Sequence, residues 1–385
     1  MWAGAFTSST GTWMQKLAQS WLVLQISNSP FLLGLDSFLG EIPIFLFSIL
    51  GGAVADRMDR RKLLLASQIV QMSCAFGLAG LIALGRVQVW HILALSFIVG
   101  LAQAFGGPAY AALVPTLVRP EDLSNAIALN SIQFNLARVV GPMLGGLALT
   151  TLGASWCFSL NGVSFLAVIA SLLMLSRRYV RVATSESLFR SVKRGLGFVR
   201  RTEAMPSLIA LSFCTTMLGI PVVVFLPVFA KDVFHQGPST FTLLLSISGA
   251  GSVFGALAVA AMGHIERKGR ISLLMLTGLG VTISLFAISR NLAWSCIFLF
   301  LSGAALVAVF ALVTSLVQLL TTDEMRGRVM SVYNVAFRGG MPVGSLLTGS
   351  LTPLFSAPGV LACNGLAMTL LGGYFLAVHR RVGRL

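Results

Sequence analysis

Five ionisable residues stand inside long apolar stretches of this sequence, where charged side chains are rare. Two are acids, Asp36 and Glu41, and three are bases, Lys16, Arg138 and Arg338. A charge at the centre of a bilayer costs about 2.5–3.5 kcal/mol on insertion scales, and such residues usually face a cavity or one another. A carboxylate can exchange a proton, and a guanidinium or ammonium group can hold an anionic or carbonyl-rich solute. These residues are therefore our candidates for solute binding and proton transfer.

The two acids are the candidates for carrying a proton. Glu41 lies about ten residues into the second apolar stretch, which is near mid-depth at a rise of 1.5 Å per residue. Asp36 lies nearer the outer surface, and the four histidines all fall near loops or ends. A proton that crosses the membrane would therefore travel on a carboxylate, with Glu41 as the first candidate and Asp36 as the second.

The arginines Arg138 and Arg338 have two open interpretations. In the first, they face each other across a central cavity and grip the solute, or neutralise Glu41 when the cavity is empty. In the second, they form a structural ion pair with Asp36 and Glu41. Lys16 fits either interpretation. Further polar residues are predicted to line the same cavity: Asn130, Gln133, Asn135, Tyr333 and Asn334.

The composition shows what kind of elements must position these side chains. Of the 385 residues, 56% are hydrophobic and 10% are charged, whereas a soluble domain carries roughly 25% charged residues. The mean hydropathy is +0.89. Because lipid penalises charge and a span needs about 20 mostly apolar residues, we predict an all-α membrane protein. Its twelve transmembrane helices are predicted near 2–26, 31–54, 63–84, 88–114, 124–150, 154–176, 205–230, 239–262, 271–289, 292–320, 326–350 and 356–378.

The basic residues predict the orientation of these spans. The net charge is +15, and 21 of the 27 Lys and Arg residues fall in loops on one side, with three on the other side and three within spans. Since cytoplasmic loops are rich in Lys and Arg, we expect both termini in the cytoplasm of a bacterial inner membrane. Basic residues placed between apolar runs argue against a nucleic-acid partner and for contact with membrane lipid. Met1 opens almost directly into an apolar stretch, so no cleavable targeting segment is expected.

A central loop divides the chain into two halves. We predict an N-terminal six-helix bundle at 1–176, a cytoplasmic linker at 177–204 and a C-terminal six-helix bundle at 205–385. The linker favours an amphipathic helix that lies on anionic lipid and ties the halves together, and the alternative is a solvated linker. The apolar residues that repeat at helical spacing in it are Leu188, Val192, Leu196 and Val199.

A repeat between the halves is visible in the sequence. The fifth stretch reads Arg138-Val-Val-Gly-Pro142 and the eleventh reads Arg338-Gly-Gly-Met-Pro342, 200 residues further on. An acidic loop precedes each unit, at 120–123 and at 322–325. Transporters built from two parallel repeats predict such matches. We therefore expect two pseudo-symmetric bundles in which the two arginines are equivalent.

The loop after the second stretch carries a family resemblance. It reads Gly52-Ala-Val-Ala-Asp56-Arg57-Met-Asp59-Arg60-Arg61-Lys62, which resembles the GxxxDRxGRR signature of the major facilitator superfamily, with Asp59 where Gly is usual. A degenerate second copy, Glu266-Arg267-Lys268-Gly269-Arg270, follows the eighth stretch, with Glu in place of Asp.

Further motifs resemble those of exporters in that superfamily. The fifth stretch contains Gly141-Pro142-Met143-Leu144-Gly145-Gly146, which is similar to the GPxxGG motif of exporters and antiporters. The segments Phe105-Gly-Gly-Pro108 and Leu113-Val114-Pro115, with Asn125-Ala126 after them, resemble the branch that contains the enterobactin exporter and macrolide efflux pumps.

The resemblance implies the major facilitator fold and a role for each motif. The two loop copies would form a latch that holds the cytoplasmic side shut, with Asp56 bonding across to the other half; the alternative is charge that only sets topology. The latch residues are Gly52, Asp56, Arg57, Arg60, Arg61, Glu266, Arg267 and Arg270. In the fifth span the residues that would bend the helix during alternating access are Gly141, Pro142, Gly145 and Gly146. The alternative for them is ordinary helix packing.

Together these features predict a secondary active transporter and not an enzyme. We expect a proton-coupled exporter, an antiporter, of a small drug-like or siderophore-like solute, which works as a monomer. No cofactor or metal is expected, because the five cysteines lie in apolar stretches without CxxC spacing and no GxxxxGK[ST] phosphate loop is present. The alternatives are an importer or symporter, a lipid translocase, or a membrane sensor that transports nothing.

Overall fold

The computed structural model describes residues 1–175, 188–261, 267–377 and 382–383, without the side chains of residues 188–192. Every regular element in these ranges is helical. The first half contains α1 (Trp2–Ser27), α2 (Pro30–Arg57), α3 (Arg60–Ala83), α4 (Val89–Leu113), α5 (Leu123–Thr151) and α6 (Ala154–Leu173). The rest contains α7 (Leu188–Arg201), α8 (Met205–Gly219), the short turns α9 (Pro221–Val224) and α10 (Leu226–Val228), α11 (Pro238–Ala261), α12 (Lys268–Ile288), α13 (Leu292–Leu319), α14 (Arg326–Phe355) and α15 (Ala357–Ala377). The all-α prediction is confirmed for the described residues.

Ten of the described helices are long and apolar enough to cross a membrane, so the chain is a multi-pass membrane protein. Two other long helices, α1 with 26 residues and α14 with 30, are not among these ten. Both carry more polar side chains: α1 contains several Ser and Thr residues beside Lys16, and α14 contains three arginines. The prediction of twelve spans in two bundles remains a prediction.

Local capping explains where several helices begin and end. Ser29 accepts a hydrogen bond from the Leu32 amide at 3.4 Å at the start of α2, and Pro30 takes the first helical position, where its missing N–H costs nothing. Asn28 ends α1 in a left-handed conformation (φ 50°). Asn291 likewise caps α13. These short-range signals agree with the predicted boundaries to within a few residues.

The chain clusters into two compact units. Unit 1 consists of Met1–Ser185 and Gly237–Ser246, and unit 2 consists of Glu186–Gln236 and Ile247–Leu385. The start of α11 therefore groups with unit 1. The predicted division at 1–176, 177–204 and 205–385 remains a prediction about folding domains.

Glycines let the helices of unit 1 approach one another closely. A Cβ on Gly145 of α5 would lie 2.9 Å from the Met14 Cα on α1, and a Cβ on Gly100 of α4 would meet the Gly40 carbonyl of α2. Real Cβ atoms do not tolerate such distances, so only glycine fits at these crossings. Close packing through small residues is how helices associate when lipid supplies no hydrophobic driving force.

Helix α7 lies in the linker region where an amphipathic helix was expected, and it packs on α14 within unit 2. A Cβ on Gly195 would lie 2.8 Å from the Arg328 carbonyl oxygen of α14, and Val199 is buried. Lys193, Arg194 and Arg200 are exposed. The structure thus contains a helix in this part of the linker, and its contact with lipid remains a prediction.

Candidate functional site

Lys16 of α1 and Glu41 of α2 form an ion pair within unit 1. Their Nζ and Oε1 atoms are 4.0 Å apart, and the two side chains are 58% and 22% exposed. At this distance and exposure the pair is weak, since a partly solvated ion pair contributes about 1 kcal/mol or less. The contact between Lys16 and Glu41 therefore costs little free energy to break.

The indole ring of Trp13 brings two cations together. Lys16 Nζ lies 5.3 Å from the ring centroid, and the guanidinium carbon of Arg138, on α5, lies 5.7 Å from it. The Phe134 ring meets the same indole edge-on at 6.4 Å. A cation over a Trp face is stabilised by about 0.5–2 kcal/mol. We call Trp13, Lys16, Phe134 and Arg138 the cationic–aromatic cluster.

Arg138 forms no salt bridge with any described acid. The structural ion pair with Asp36 and Glu41, one of the two interpretations of its role, is therefore not seen in this structure. Its guanidinium instead lies beside the Trp13 ring, where its N–H groups can donate hydrogen bonds to a solute. Such a group can hold a carboxylate or carbonyl oxygen of a solute.

Asp36 of α2 is the buried acid of unit 1. Its Oδ1 and Oδ2 accept hydrogen bonds from Gln19 Nε2 of α1 at 3.1 and 2.9 Å, and Oδ1 accepts from Ser96 Oγ of α4 at 2.5 Å. Gln19 Nε2 also lies 2.9 Å from Ser96 Oγ. Side chains from three helices therefore meet at the Asp36 carboxylate. Glu41 is more exposed than Asp36.

The polar candidates on α5 are distributed over different surroundings. Gln133 is buried and donates from Nε2 to the Ala5 carbonyl and to Ser9 Oγ, which ties α5 to α1. Asn130 accepts a hydrogen bond from Tyr110 Oη at 2.7 Å. Asn135 donates to the Ser131 carbonyl of its own helix at 2.8 Å. Of the three, Gln133 has its donors occupied by α1.

The candidates on α14 belong to unit 2. Tyr333 is buried, and its hydroxyl lies 2.8 Å from Thr314 Oγ1 of α13. Its ring also stacks with Phe337 at 6.3 Å. Asn334 and Arg338 are exposed. Tyr333 therefore joins α14 to α13, while Asn334 and Arg338 remain accessible on the helix surface.

Each unit contains a helix crossing at which a glycine faces a similar pair of backbone atoms. In unit 1 a Cβ on Gly141 would meet the Thr10 carbonyl oxygen and the Met14 amide nitrogen of α1. In unit 2 a Cβ on Gly340 would meet the carbonyl oxygen of Phe213 and the amide nitrogen of Met217 on α8. Both contact pairs are four residues apart, so the α5–α1 and α14–α8 crossings have the same local geometry.

This packing pairs Gly141 with Gly340, and the pairing shifts the arginine register by one residue. Three residues before each glycine stand Arg138 in α5 and Phe337 in α14. Arg338 is one position further along, which rotates a side chain by about 100° around a helix of 3.6 residues per turn. The sequence repeat, at an offset of 200 residues, treats Arg138 and Arg338 as equivalent. The glycine contacts give an offset of 199 residues and align Arg138 with Phe337.

The signature loop binds helix ends together within unit 1. Asp59 caps α3 by accepting from the amides of Arg61 and Lys62 at 2.9 and 3.3 Å. Arg60 donates from Nη1 to the Ala112 carbonyl at the end of α4, and Arg61 donates from Nη2 to the Leu173 carbonyl at the end of α6. A cation at a helix C-terminus stabilises it by about 0.3–1 kcal/mol. Two arginines of the motif therefore act on carbonyl groups of their own unit.

The remaining latch residues lie at the ends of α2 and α12 or outside the described residues. Asp56 lies 3.6 Å from Arg60 Nη2 within the loop, and Arg57 is exposed. In the second copy Arg267 and Arg270 are exposed at the start of α12, and Glu266 lies outside the described residues. The latch between halves remains a prediction.

The exporter-like motif lies in an unbroken helix. α5 runs through Pro142 from Leu123 to Thr151. Gly141 and Gly145 contact α1, and a Cβ on Gly146 would collide with the Thr242 side chain of α11 in the same unit. Each of these glycines thus has a packing role, and bending at Pro142 remains a prediction.

Two neighbouring glycines near the end of α2, Gly51 and Gly52, provide a matched test of packing. A Cβ on Gly51 would collide with the Ala104 carbonyl of α4, whereas a Cβ on Gly52 would meet nothing within 4 Å. We expect Gly51→Ala to destabilise the protein by about 1–3 kcal/mol, as overpacking does. Gly52→Ala should leave stability unchanged or slightly higher, because alanine is the better helix former. Thermal unfolding of the purified variants in detergent measures both, and equal melting temperatures would contradict the assignment.

Sequence reasoning missed three residues of the site: Trp13, Gln19 and Ser96. None of the three belongs to a motif of the sequence. The spacing of Gln19 and Lys16, one turn apart on α1, was the one available signal that the two side chains share a face. Their partners on α2, α4 and α5 emerge only from the fold.

Comparisons with known proteins agree along the whole chain. A family model described as transmembrane secretion effector matches residues 1–383. The enterobactin exporter EntS of Salmonella choleraesuis (strain SC-B67) is 26% identical over 360 residues, covering 92% of this chain and 86% of that protein. The enterobactin exporter EntS of Shigella boydii serotype 4 (strain Sb227) is also 26% identical over 360 residues, covering 92% and 85%.

Solved structures of transporters share the fold. The nucleoside transporter NupG (D323A mutant) superposes with a TM-score of 0.80 at 13% identity, covering 97% of each chain. A POT family transporter in complex with a thioalcohol-conjugated peptide reaches 0.77 at 11% identity, covering 99% and 96%. The human organic anion transporter MFSD10 (TETRAN) reaches 0.66 at 19% identity, covering 97% and 98%. At these identities the likeness concerns the fold alone.

Proposed function

The chain belongs to the transmembrane secretion effectors of the major facilitator superfamily, and from this membership we propose that it is a proton-coupled exporter of a small siderophore-like or drug-like solute. It is a multi-pass membrane transporter rather than an enzyme. The exported solute would leave as protons enter, by alternating access. Relatives that carry the name enterobactin exporter support the direction of transport.

The observation that carries the proposal is the cationic–aromatic cluster of Trp13, Lys16, Phe134 and Arg138. Two cations and two aromatic rings suit a solute that carries carbonyl or anionic oxygens on a flat, aromatic frame. Glu41, at 4.0 Å from Lys16, adds an acceptor for hydroxyl or amine donors of the same solute. A solute with both kinds of group would fit this set of side chains.

Competition for Glu41 would couple export to proton entry. An ionised Glu41 accepts hydrogen bonds from the solute, whereas a protonated Glu41 loses its charge and binds donors less strongly. Solute and proton would then occupy the carboxylate in turn, which is the requirement for antiport. Glu41 is therefore our first candidate for proton coupling, and Asp36 is the second.

We also propose that α1 and α14 cross the membrane, which makes twelve spans in two pseudo-symmetric six-helix bundles. Their polar residues suit helices that line a solute path, because intramembrane charges face cavities. The excess of Lys and Arg on one side supports a cytoplasmic location for both termini of an inner-membrane protein. The partners would be the solute, protons and membrane lipid, with the protein acting as a monomer.

A deletion strain tests the proposed function. Cells that lack the gene should accumulate a small carbonyl-rich or phenolic metabolite, or become sensitive to a toxic one, and a plasmid copy should reverse the effect. Measurement of metabolites inside and outside the cells, together with susceptibility assays, gives the direction of transport. Depletion of a metabolite inside the deletion strain would instead indicate an importer and contradict export.

A further inference from the structure

The carboxylate of Asp36 is held by neutral hydrogen-bond donors in place of a cation. Asp36 is 7% exposed, and three hydrogen bonds from Gln19 and Ser96 reach its two oxygens. No described Lys or Arg lies within salt-bridge distance of it. A buried charge needs partners to persist. The ionised form of Asp36 is therefore stabilised mainly by these three hydrogen bonds.

The same hydrogen bonds hold helices together. Gln19 is on α1, Asp36 on α2 and Ser96 on α4, at 17 and 60 residues from Asp36 in the chain. α2 and α4 are joined independently by backbone contacts at Gly51 and Gly100. Between α1 and α2 the bonds from Gln19 are accompanied by the weak Lys16–Glu41 pair. The attachment of α1 to α2 thus depends more on Asp36 than the attachment of α4 does.

We propose that Asp36, Gln19 and Ser96 form a second proton-binding site, in which a proton on Asp36 weakens the attachment of α1 to α2. Ionised Asp36 accepts all three hydrogen bonds, and bonds to a charged acceptor are roughly twice as strong as neutral ones. A proton from water adds to one carboxylate oxygen and turns it into a donor. Ser96 Oγ must then accept a hydrogen bond from the new carboxyl O–H, and its own hydroxyl hydrogen must turn to another acceptor. The hydrogen bonds from Gln19 are then made to a neutral group. Loss of the proton to water restores the first arrangement.

The donor set fits a proton better than a metal cation. The site presents the two oxygens of Asp36 and the hydroxyl of Ser96, together with the amide nitrogen of Gln19. Hard cations such as calcium and magnesium take about six or more oxygen ligands, and sodium has a similar preference for oxygen. An amide N–H directed at the carboxylate occupies the space that a cation would need.

Few other charged groups of the described residues lie near this site. Lys16 of α1 is the charged residue that acts on Asp36, Glu41 lies five residues further along α2, and His91 stands near the start of α4. Asp36 is the seventh residue of α2, about 9 Å from its start at 1.5 Å per residue. With the orientation proposed above, a proton would reach it from the outer side.

This inference rests on the proposed function for its place in transport, so its test measures helix contact instead of transport. The purified full-length protein in lipid nanodiscs is subjected to hydrogen–deuterium exchange at several pH values, corrected for the intrinsic rate. In the wild type, protection of the second half of α1, Leu17–Ser27, should fall as the pH is lowered. In Asp36→Asn, protection should be low at every pH, because Asn mimics the neutral acid. Asp122→Asn, at an exposed 3₁₀ turn before α5, is the matched control and should behave like the wild type.

Each further result supports or overturns the inference. Ser96→Ala keeps the carboxylate but removes one donor, so the fall in protection should persist and move to a different pH. Glu41→Gln should keep the wild-type response. Constant protection in the wild type, a retained response in Asp36→Asn, or a response lost in Glu41→Gln would each overturn the proposal. Recovery of protection on replacing potassium by sodium at constant ionic strength would indicate a sodium site and would overturn it as well.

Discussion

Glu41→Gln is expected to abolish export driven by a proton gradient while the protein still inserts and binds its solute. The amide of Gln has nearly the shape of the acid and still offers a carbonyl acceptor, but it cannot take up a proton. Solute and proton then no longer compete for this position, so the proton gradient no longer drives export. Solute accumulation in inside-out membrane vesicles, with and without a pH gradient, measures the effect.

The controls separate a coupling defect from a general one. Glu121→Gln makes the same chemical change in an exposed 3₁₀ turn and should transport like the wild type. Solute exchange without a gradient should survive in Glu41→Gln, because exchange requires binding and not proton transfer. Gradient-driven export that continues unchanged in Glu41→Gln would remove this residue from the coupling mechanism.

Arg138→Ala should weaken the binding of an anionic solute by roughly tenfold or more, and that of a cationic solute much less. A hydrogen bond to a charged group contributes about 1.5–3 kcal/mol, and each 1.4 kcal/mol changes affinity tenfold. The guanidinium carbon lies 5.7 Å from the Trp13 ring centroid. This contact orients the N–H donors of Arg138 before the solute binds. Binding measured by isothermal titration to the purified protein, with an anionic and a cationic solute compared, tests this expectation.

Three companion variants make the comparison specific. Arg138→Lys keeps the charge but loses the planar fork of donors, and should bind the anion with intermediate affinity. Arg338→Ala tests whether the second arginine acts on the same solute even though helix packing aligns Phe337 with Arg138. Arg290→Ala, in an exposed loop, should have no effect. Equal losses for anionic and cationic solutes in Arg138→Ala would favour a structural role for Arg138.

The signature loop has a structural role within unit 1. Arg60 and Arg61 bind the carbonyl ends of α4 and α6, and Asp59, which stands where the family usually has Gly, caps α3. These contacts hold the helix ends of unit 1 whether or not a latch forms. Replacement of either arginine would therefore affect the folding of unit 1 as well as any gating step.

Much of the fold follows from the sequence because its causes are local. Hydrophobic runs of span length and low charge predict membrane helices, and capping residues such as Ser29 and Asn28 mark where α1 ends and α2 begins. The amphipathic spacing in the linker predicts α7, which the structure contains. Helix formation depends on neighbours within about four residues, so a single sequence carries this information.

The partners within the site were decided by tertiary structure. The sequence identified Asp36, Glu41, Lys16 and Arg138 as unusual charges, but it did not indicate that Asp36 would be buried and Glu41 partly exposed. That difference arises because Gln19 and Ser96, 17 and 60 residues from Asp36, converge on it. No periodicity along one helix encodes such a contact.

The relation between the two halves shows the same division. The Arg-x-x-x-Pro repeat suggests that Arg138 and Arg338 are equivalent, whereas the glycine contacts align Arg138 with Phe337. A shift of one residue is small along the chain but turns a side chain by about 100° on a helix. The sequence by itself therefore determined which elements form and where charge enters the membrane. Only the packing of those elements decided which side chains meet, because close backbone approach at glycines sets the rotation of each helix against its neighbour.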